Sequence, residues 1–112
     1  MQAEALKGHL DALLLASLET GPQHGYAVIE SLRVSTGGQL DLPTGTIYPA
    51  LHRLEAAGLI RGRWALVSGR RRRNYQLTAK GRRALNGKRA DWQRFASAVS
   101  AALESRSCPD LA

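Results

Sequence analysis

The sequence predicts a mainly α-helical fold with a small β-hairpin wing: a winged helix-turn-helix followed by one long C-terminal helix. Three observations predict it. Between residues 3 and 57, three segments repeat apolar residues at spacings of three and four. After Gly58 the pattern switches to alternation on both sides of a Ser-Gly pair. From Ala79 helical spacing returns and runs toward a strongly apolar far end. Three short helices and then a two-stranded hairpin is the order of a winged helix-turn-helix, whose third helix enters the major groove of DNA.

Each element has its own signals. Leu6, Leu10, Leu13, Leu14 and Leu18 form one stripe of a helix over Ala3 to Leu18, stopped by Gly21 and Pro22. Val28, Ile29 and Leu32 share a face of a shorter helix from Gly25 to about Thr36, ended by Gly37 and Gly38. In the third helix Ile47, Leu51 and Leu54 repeat up to Ala57, with Thr46 offered as the N-cap and Gly58 as the stop. Pro49 then falls within the first turn or just beyond it, where a missing amide costs least. Ile60, Trp64, Leu66, Tyr75 and Leu77 make the apolar face of the hairpin, while Arg70, Arg71, Arg72 and Arg73 crowd its tip and returning strand. Thr78 caps the last helix, along which Leu85, Trp92, Phe95, Ala96, Val99 and Leu103 recur at spacings of three, four or seven. The organisation expected is a DNA-reading body over 1–78, a dimerisation helix over 79–106 and a frayed tail over 107–112.

A chain of 112 residues suits one domain with one modest core. Its single cysteine, Cys108, excludes an internal disulfide and a cysteine-rich zinc site. Without a long apolar run or a charged leader, a soluble, cytoplasmic protein with no membrane partner is expected. Charge is the informative quantity. The net value is +7, and residues 56 to 90 carry eleven basic side chains and no acidic one. A positive field localised in this way attracts polyanions, nucleic acid first among them. Four adjacent arginines also repel one another, and an anion relieves that repulsion.

Helical geometry places the functional face. At 100° per residue, the side of the third helix opposite Ile47, Leu51 and Leu54 holds Gly45, Pro49, His52 and Ala56, flanked by Thr46, Tyr48 and Arg53. It carries no acidic residue, since Glu55 lies on the flank. Small residues let DNA approach, the hydroxyls of Thr44, Thr46 and Tyr48 suit phosphates, and His52 or Arg53 can reach base edges or backbone. The helix N-terminus adds its attraction for phosphate.

At this point the sequence resembles the PadR-type transcriptional regulators. The residues that carry the resemblance are His24-Gly25-Tyr26, the run Gly45-Thr46-Ile47-Tyr48-Pro49-Ala50-Leu51-His52-Arg53-Leu54-Glu55, then Gly58-Leu59-Ile60, Trp64, the Arg-rich turn, and Tyr75-Gln76-Leu77-Thr78 with Gly81-Arg82. They cover roughly residues 6 to 95. The resemblance implies a homodimeric DNA-binding repressor of bacterial type, often released by a small molecule, with the long C-terminal helix making the dimer. Carried over by position, Thr46, Tyr48 and Pro49 fall where the recognition helix meets DNA, Arg70 to Arg73 where the wing reaches backbone or minor groove, and Tyr26 near the phosphates. Trp92 lies in the region where some relatives sandwich flat aromatic ligands, which makes it the candidate effector contact. The chain departs from the pattern at Arg61-Gly62-Arg63-Trp64, where many relatives carry acidic residues.

Independently of the resemblance, Trp92, Phe95, Ala96, Val99 and Leu103 are too apolar for a helix projecting from so small a body, and a second copy would cover them. The contrasting arrangement folds this helix back on the first. Double-stranded DNA bearing an inverted repeat is thus the expected partner. No nucleophile elbow, phosphate loop or metal-ligand motif occurs, and His9, His24 and His52 are scattered, so neither an enzyme, a cofactor nor a metal is expected. The alternative is a winged-helix module that binds RNA or protein without reading DNA sequence. A low aromatic content, with Trp64 and Tyr75 on the expected core face, argues against the RNA form.

Overall fold

The computed structural model describes residue 6 and residues 8–105. The elements in chain order are α1 (Leu10–Ser17), β1 (Gln23–His24), α2 (Gly25–Ser35), α3 (Thr44–Ala56), β2 (Ile60–Val67), β3 (Arg70–Leu77) and α4 (Ala79–Glu104). The fold is a winged helix-turn-helix extended by one long helix.

Leucines of the first three helices close a single core. Leu14, Val28, Ile47, Leu51 and Leu54 are buried, and Ile60, Tyr75, Leu77 and Leu85 seal it from the hairpin and α4. The first helix starts later than its leucine spacing predicts, because Gly8 takes φ +86° just before Leu10. Residues 3–5 and 7 of that expected helix, the end of the expected dimerisation helix at Arg106, and the expected tail with Cys108 lie outside the described residues.

The third helix begins two residues before its expected cap. Pro43 occupies the N-cap, and its carbonyl accepts from the amides of Thr46 and Ile47 at 3.0 and 3.1 Å. Thr46 is therefore inside the helix, and Pro49 is its sixth residue, just beyond the first turn as one of the two expected placements had it. Its missing amide leaves the Gly45 carbonyl without its usual i+4 donor. Gly45 and Pro49 are both on the exposed side, where a carbonyl is open to solvent and need not find a partner within the protein. The C-terminal stop forms as expected. Gly58 takes φ +77°, and the amides of Gly58 and Leu59 close back on Glu55 and Leu54 at 3.0 Å each, a Schellman motif.

The sheet has the order β1-β3-β2, with both pairings antiparallel. Ser68 and Gly69 form the two-residue turn with φ of +52° and +77°, as a twist-matched hairpin turn requires. Strand β1 is an addition to the predicted elements. It is two residues long, pairing Gln23 with Tyr75 and His24 with Asn74, too short for alternation to reveal.

The apolar face of the hairpin is divided along its length. Ile60, Tyr75 and Leu77 are buried as expected, but Trp64 and Leu66 are 58% and 73% exposed. They share the pleat of the buried residues, but no helix covers this end of the hairpin, and over Trp64 lie arginines of β3 instead of core. Thr78 caps α4 as expected, its hydroxyl accepting from the Gly81 amide at 3.0 Å. Helix α4 packs on α1 through its first half and projects beyond it, giving overall dimensions of 71 × 28 × 21 Å.

Candidate nucleic-acid interface

The exposed side of α3 matches the helical count. Gly45, Pro49, His52 and Ala56 are exposed, as are Thr44 and Arg53, while Thr46 and Tyr48 are half-buried. None of these is a carboxylate. Arg53 is tied back to the body by an ion pair with Asp11 of α1, an exposed contact of small energetic value that leaves the guanidinium free to exchange partners.

Tyr48 is placed by close packing. Its ring occupies the space where a side chain on Gly25 would stand, which is why the start of α2 has none. It meets the ring of Tyr26 edge-on at 6.2 Å. The Tyr48 hydroxyl is pushed above its ordinary range by burial and by Tyr26, against an opposing pull from Arg72. His24 caps α2, its Nδ1 accepting from the Ala27 amide at 3.2 Å. Burial, with the Arg72 charge in support, holds its imidazole below the ordinary value, so the ring stays neutral and able to accept. Thus the start of α2, the middle of α3 and strand β3 meet at His24, Tyr26, Tyr48 and Arg72.

The four arginines of β3 are not equivalent. In the antiparallel register Arg71 lies opposite Leu66 and Arg73 opposite Trp64. Both guanidinium groups lie over the Trp64 ring, 4.6 and 5.3 Å from its centroid. Arg73 also pairs with Glu55 at 2.5 Å. Arg70 and Arg72 point to the other face of the pleat, together with Arg61 and Arg63 of β2. These four form no ion pair among the described residues. Helical counting set Glu55 aside as a flank residue. A lone carboxylate at the end of α3, immediately before a segment with eleven basic side chains, is the sequence signal that points to it.

On α4, Trp92 and Phe95 are about half exposed, Ala96 and Val99 partly so, and Leu103 is 80% exposed. Trp92 sits at the mouth of a groove of about 600 Å³ between α1 and α4, lined also by Leu13, Ala16, Lys88 and Phe95. The His9 ring stands edge-on to the indole at 5.2 Å. Arg89 holds Glu19 with two hydrogen bonds of 2.9 and 3.2 Å, fastening α4 to the end of α1. The sequence expectation of a helix projecting with all of this face uncovered is thus corrected in part. Its inner half leans on α1, and its outer half meets no other element among the described residues. No group of acidic, histidine or cysteine side chains suited to a metal occurs among the described residues.

A three-helix body whose third helix exposes an acid-free face beside an arginine-rich hairpin defines a winged helix-turn-helix protein of the transcription-regulator class. The chain belongs to the transcriptional regulator PadR-like family, whose model matches residues 14–87. That family consists of regulators, not enzymes. Transcriptional regulator Rv3488 of Mycobacterium tuberculosis is 47% identical over 55 residues, covering 49% of this chain and 51% of that protein. The match therefore spans about half the length of that relative. A PadR family transcriptional regulator from Eggerthella lenta is 31% identical, with a TM-score of 0.78 over 92% of this chain and 88% of that one. A transcriptional regulator from Clostridium thermocellum superposes with a TM-score of 0.80 over 88% of this chain and 96% of that one, and at 24% identity shows the shared fold alone. No helix among the described residues is long and apolar enough to cross a membrane.

Proposed function

We propose that this chain is a cytoplasmic, homodimeric, sequence-specific DNA-binding repressor that occupies an inverted-repeat operator and is released by a small molecule. The observation that carries the reading is the acid-free exposed side of α3, adjoining the Tyr26, Tyr48 and Arg72 cluster and the arginine wing. In this reading Thr44, Thr46, Tyr48, Pro49, His52 and Arg53 meet the major groove, Tyr26 meets a phosphate, and the wing arginines meet the flanking backbone. Residues 1–78 read DNA and 79–106 make the dimer through Trp92, Phe95, Ala96, Val99 and Leu103. The groove beside Trp92 takes the effector. A ligand there releases DNA if it prefers the DNA-incompetent dimer, and a tenfold loss of affinity needs about 1.4 kcal/mol of preference.

A second reading, binding of single-stranded or structured RNA, draws on one observation: Trp64 is exposed rather than in the core. Its ring face is already taken by Arg71, which stands where a stacked base would lie. Duplex DNA therefore remains the better fit.

Fluorescence anisotropy on a duplex from upstream of the gene, against a scrambled duplex and the matching RNA, tests the reading. Preference for the native duplex that survives at about 150 mM salt is expected. Equal binding to both duplexes that salt erases would overturn it.

A further inference from the structure

Glu55 lies in the last turn of α3, and its carboxylate holds two groups of the wing. Oε2 accepts from the Gly62 amide at 3.0 Å and from Arg73 Nη2 at 2.5 Å. Strand β2 is an edge of the sheet, so alternate amides along it have no ladder partner, and Glu55 satisfies one of them. The absence of a side chain on Gly62 makes room for the Arg73 guanidinium, which an added Cβ would displace. That same guanidinium lies over the Trp64 ring. Recognition helix and wing are thereby joined through one carboxylate, one amide and one arginine, with both partners of the ion pair mostly covered. Partial burial pushes the Glu55 carboxyl up, but the Gly62 amide and the Arg73 guanidinium outweigh it and keep the group below the usual carboxylate range.

We infer that Glu55 is a positioning residue for DNA binding: it fixes the angle of the wing on α3, withdraws Arg73 from the phosphate-binding set, and leaves Arg61, Arg63, Arg70, Arg71 and Arg72, which have no carboxylate partner among the described residues, as the wing cations that neutralise phosphate. The inference rests on the DNA-binding reading above. A carboxylate close to DNA is ordinarily a penalty, since it repels phosphate. Here its position yields two opposite expectations. If Glu55 were only a negative charge near the interface, its removal would tighten binding to every duplex. If it sets the wing, removal loosens the selected duplex while generic binding holds or rises.

The experiment begins by letting the full-length wild-type protein select duplexes from a randomised library. Anisotropy titrations of E55Q, R73A, R63A and R72A then follow on a selected duplex and a scrambled one across a salt series. E55Q should lose about tenfold on the selected duplex, the scale of one mismatched base pair, without losing affinity for the scrambled one. R63A and R72A should each flatten the salt slope by about one per protomer, whereas R73A should leave it unchanged. The double variant E55Q/R73A should lose no more than the worse single variant, as expected of two groups acting as one unit. Equal tightening by E55Q on both duplexes, or a slope flattened by R73A as much as by R72A, overturns the inference alone. Failure of the wild-type protein to select any duplex overturns the DNA-binding reading and the inference with it. Should E55Q fail to fold, as judged by circular dichroism, the comparison of R73A with R72A decides.

Discussion

Gly25 and Tyr48 belong to different helices, and their contact sets how closely the start of α2 approaches the recognition helix. A methyl group on Gly25 collides with the Tyr48 ring. Gly25→Ala should therefore cost about 1 to 3 kcal/mol in urea unfolding, the usual range for overpacking, and should weaken DNA binding through displacement of Tyr48. The neighbouring His24 gives the fold a pH dependence. Its folded value lies below the ordinary 6.5, so the unfolded chain takes up a proton first. The stability it contributes is complete above that ordinary value and is lost as pH falls through the lowered folded one. Wild-type protein should become easier to unfold between pH 7.5 and 5.5, while His24→Asn, which keeps an N-cap acceptor that does not titrate, should show a smaller change over the same interval. Equal pH dependence of the two proteins would remove His24 as the cause.

Helix α4 changes character along its length. Leu85 is buried in the core, and Arg89 is bound to Glu19, so the inner half is part of the body. Beyond Phe95 no other element among the described residues packs on the helix, yet it continues to place Val99 and Leu103 on one side. An isolated helical stretch this short is marginal in water unless its apolar side is buried. Phe95→Asp with Leu103→Asp should accordingly shift sedimentation from dimer to monomer, and a mass that stays dimeric would mean that another surface makes the contact. Periodicity identified the apolar side of α4 and the acid-free side of α3, because both follow from 100° per residue along one element. The same reasoning placed Trp64 and Leu66 in the core, because alternation reports which residues share a face and says nothing of where the neighbouring body ends.

The molecule as a whole is long and narrow, 71 Å in its longest dimension, with α3 and the wing on the body and the outer half of α4 extending beyond it. Two such bodies joined through α4 would present two recognition helices, and successive major grooves on one side of DNA lie roughly 34 to 36 Å apart. Inserting about five base pairs between the half-sites turns one of them to the opposite side of the duplex. Affinity should then drop to that of a single half-site, measured on otherwise identical duplexes. Substituting Arg70 to Arg73 together by alanine should flatten the salt dependence by less than four phosphates per protomer, because Arg73 already has a carboxylate partner.

The amino-acid sequence by itself determined most of what depends on local geometry, though not the start of α1, the N-cap of α3 or strand β1. The three helices of the body, the Ser68-Gly69 turn, the Thr78 cap, the Gly58 stop and the concentration of positive charge after residue 56 all follow from periodicity, the placement of glycine and capping residues, and composition. Tertiary structure decided what each face meets. Only the packing of α2 against α3 puts Tyr48 over Gly25, only the packing of α3 beside the paired strands β2 and β3 brings Glu55 to Arg73 eighteen residues away, and only the reach of the hairpin beyond the body exposes Trp64. The physical reason is that spacing along a chain fixes the direction of a side chain about its own axis, whereas its partner is set by the position of a second axis, which no single segment encodes.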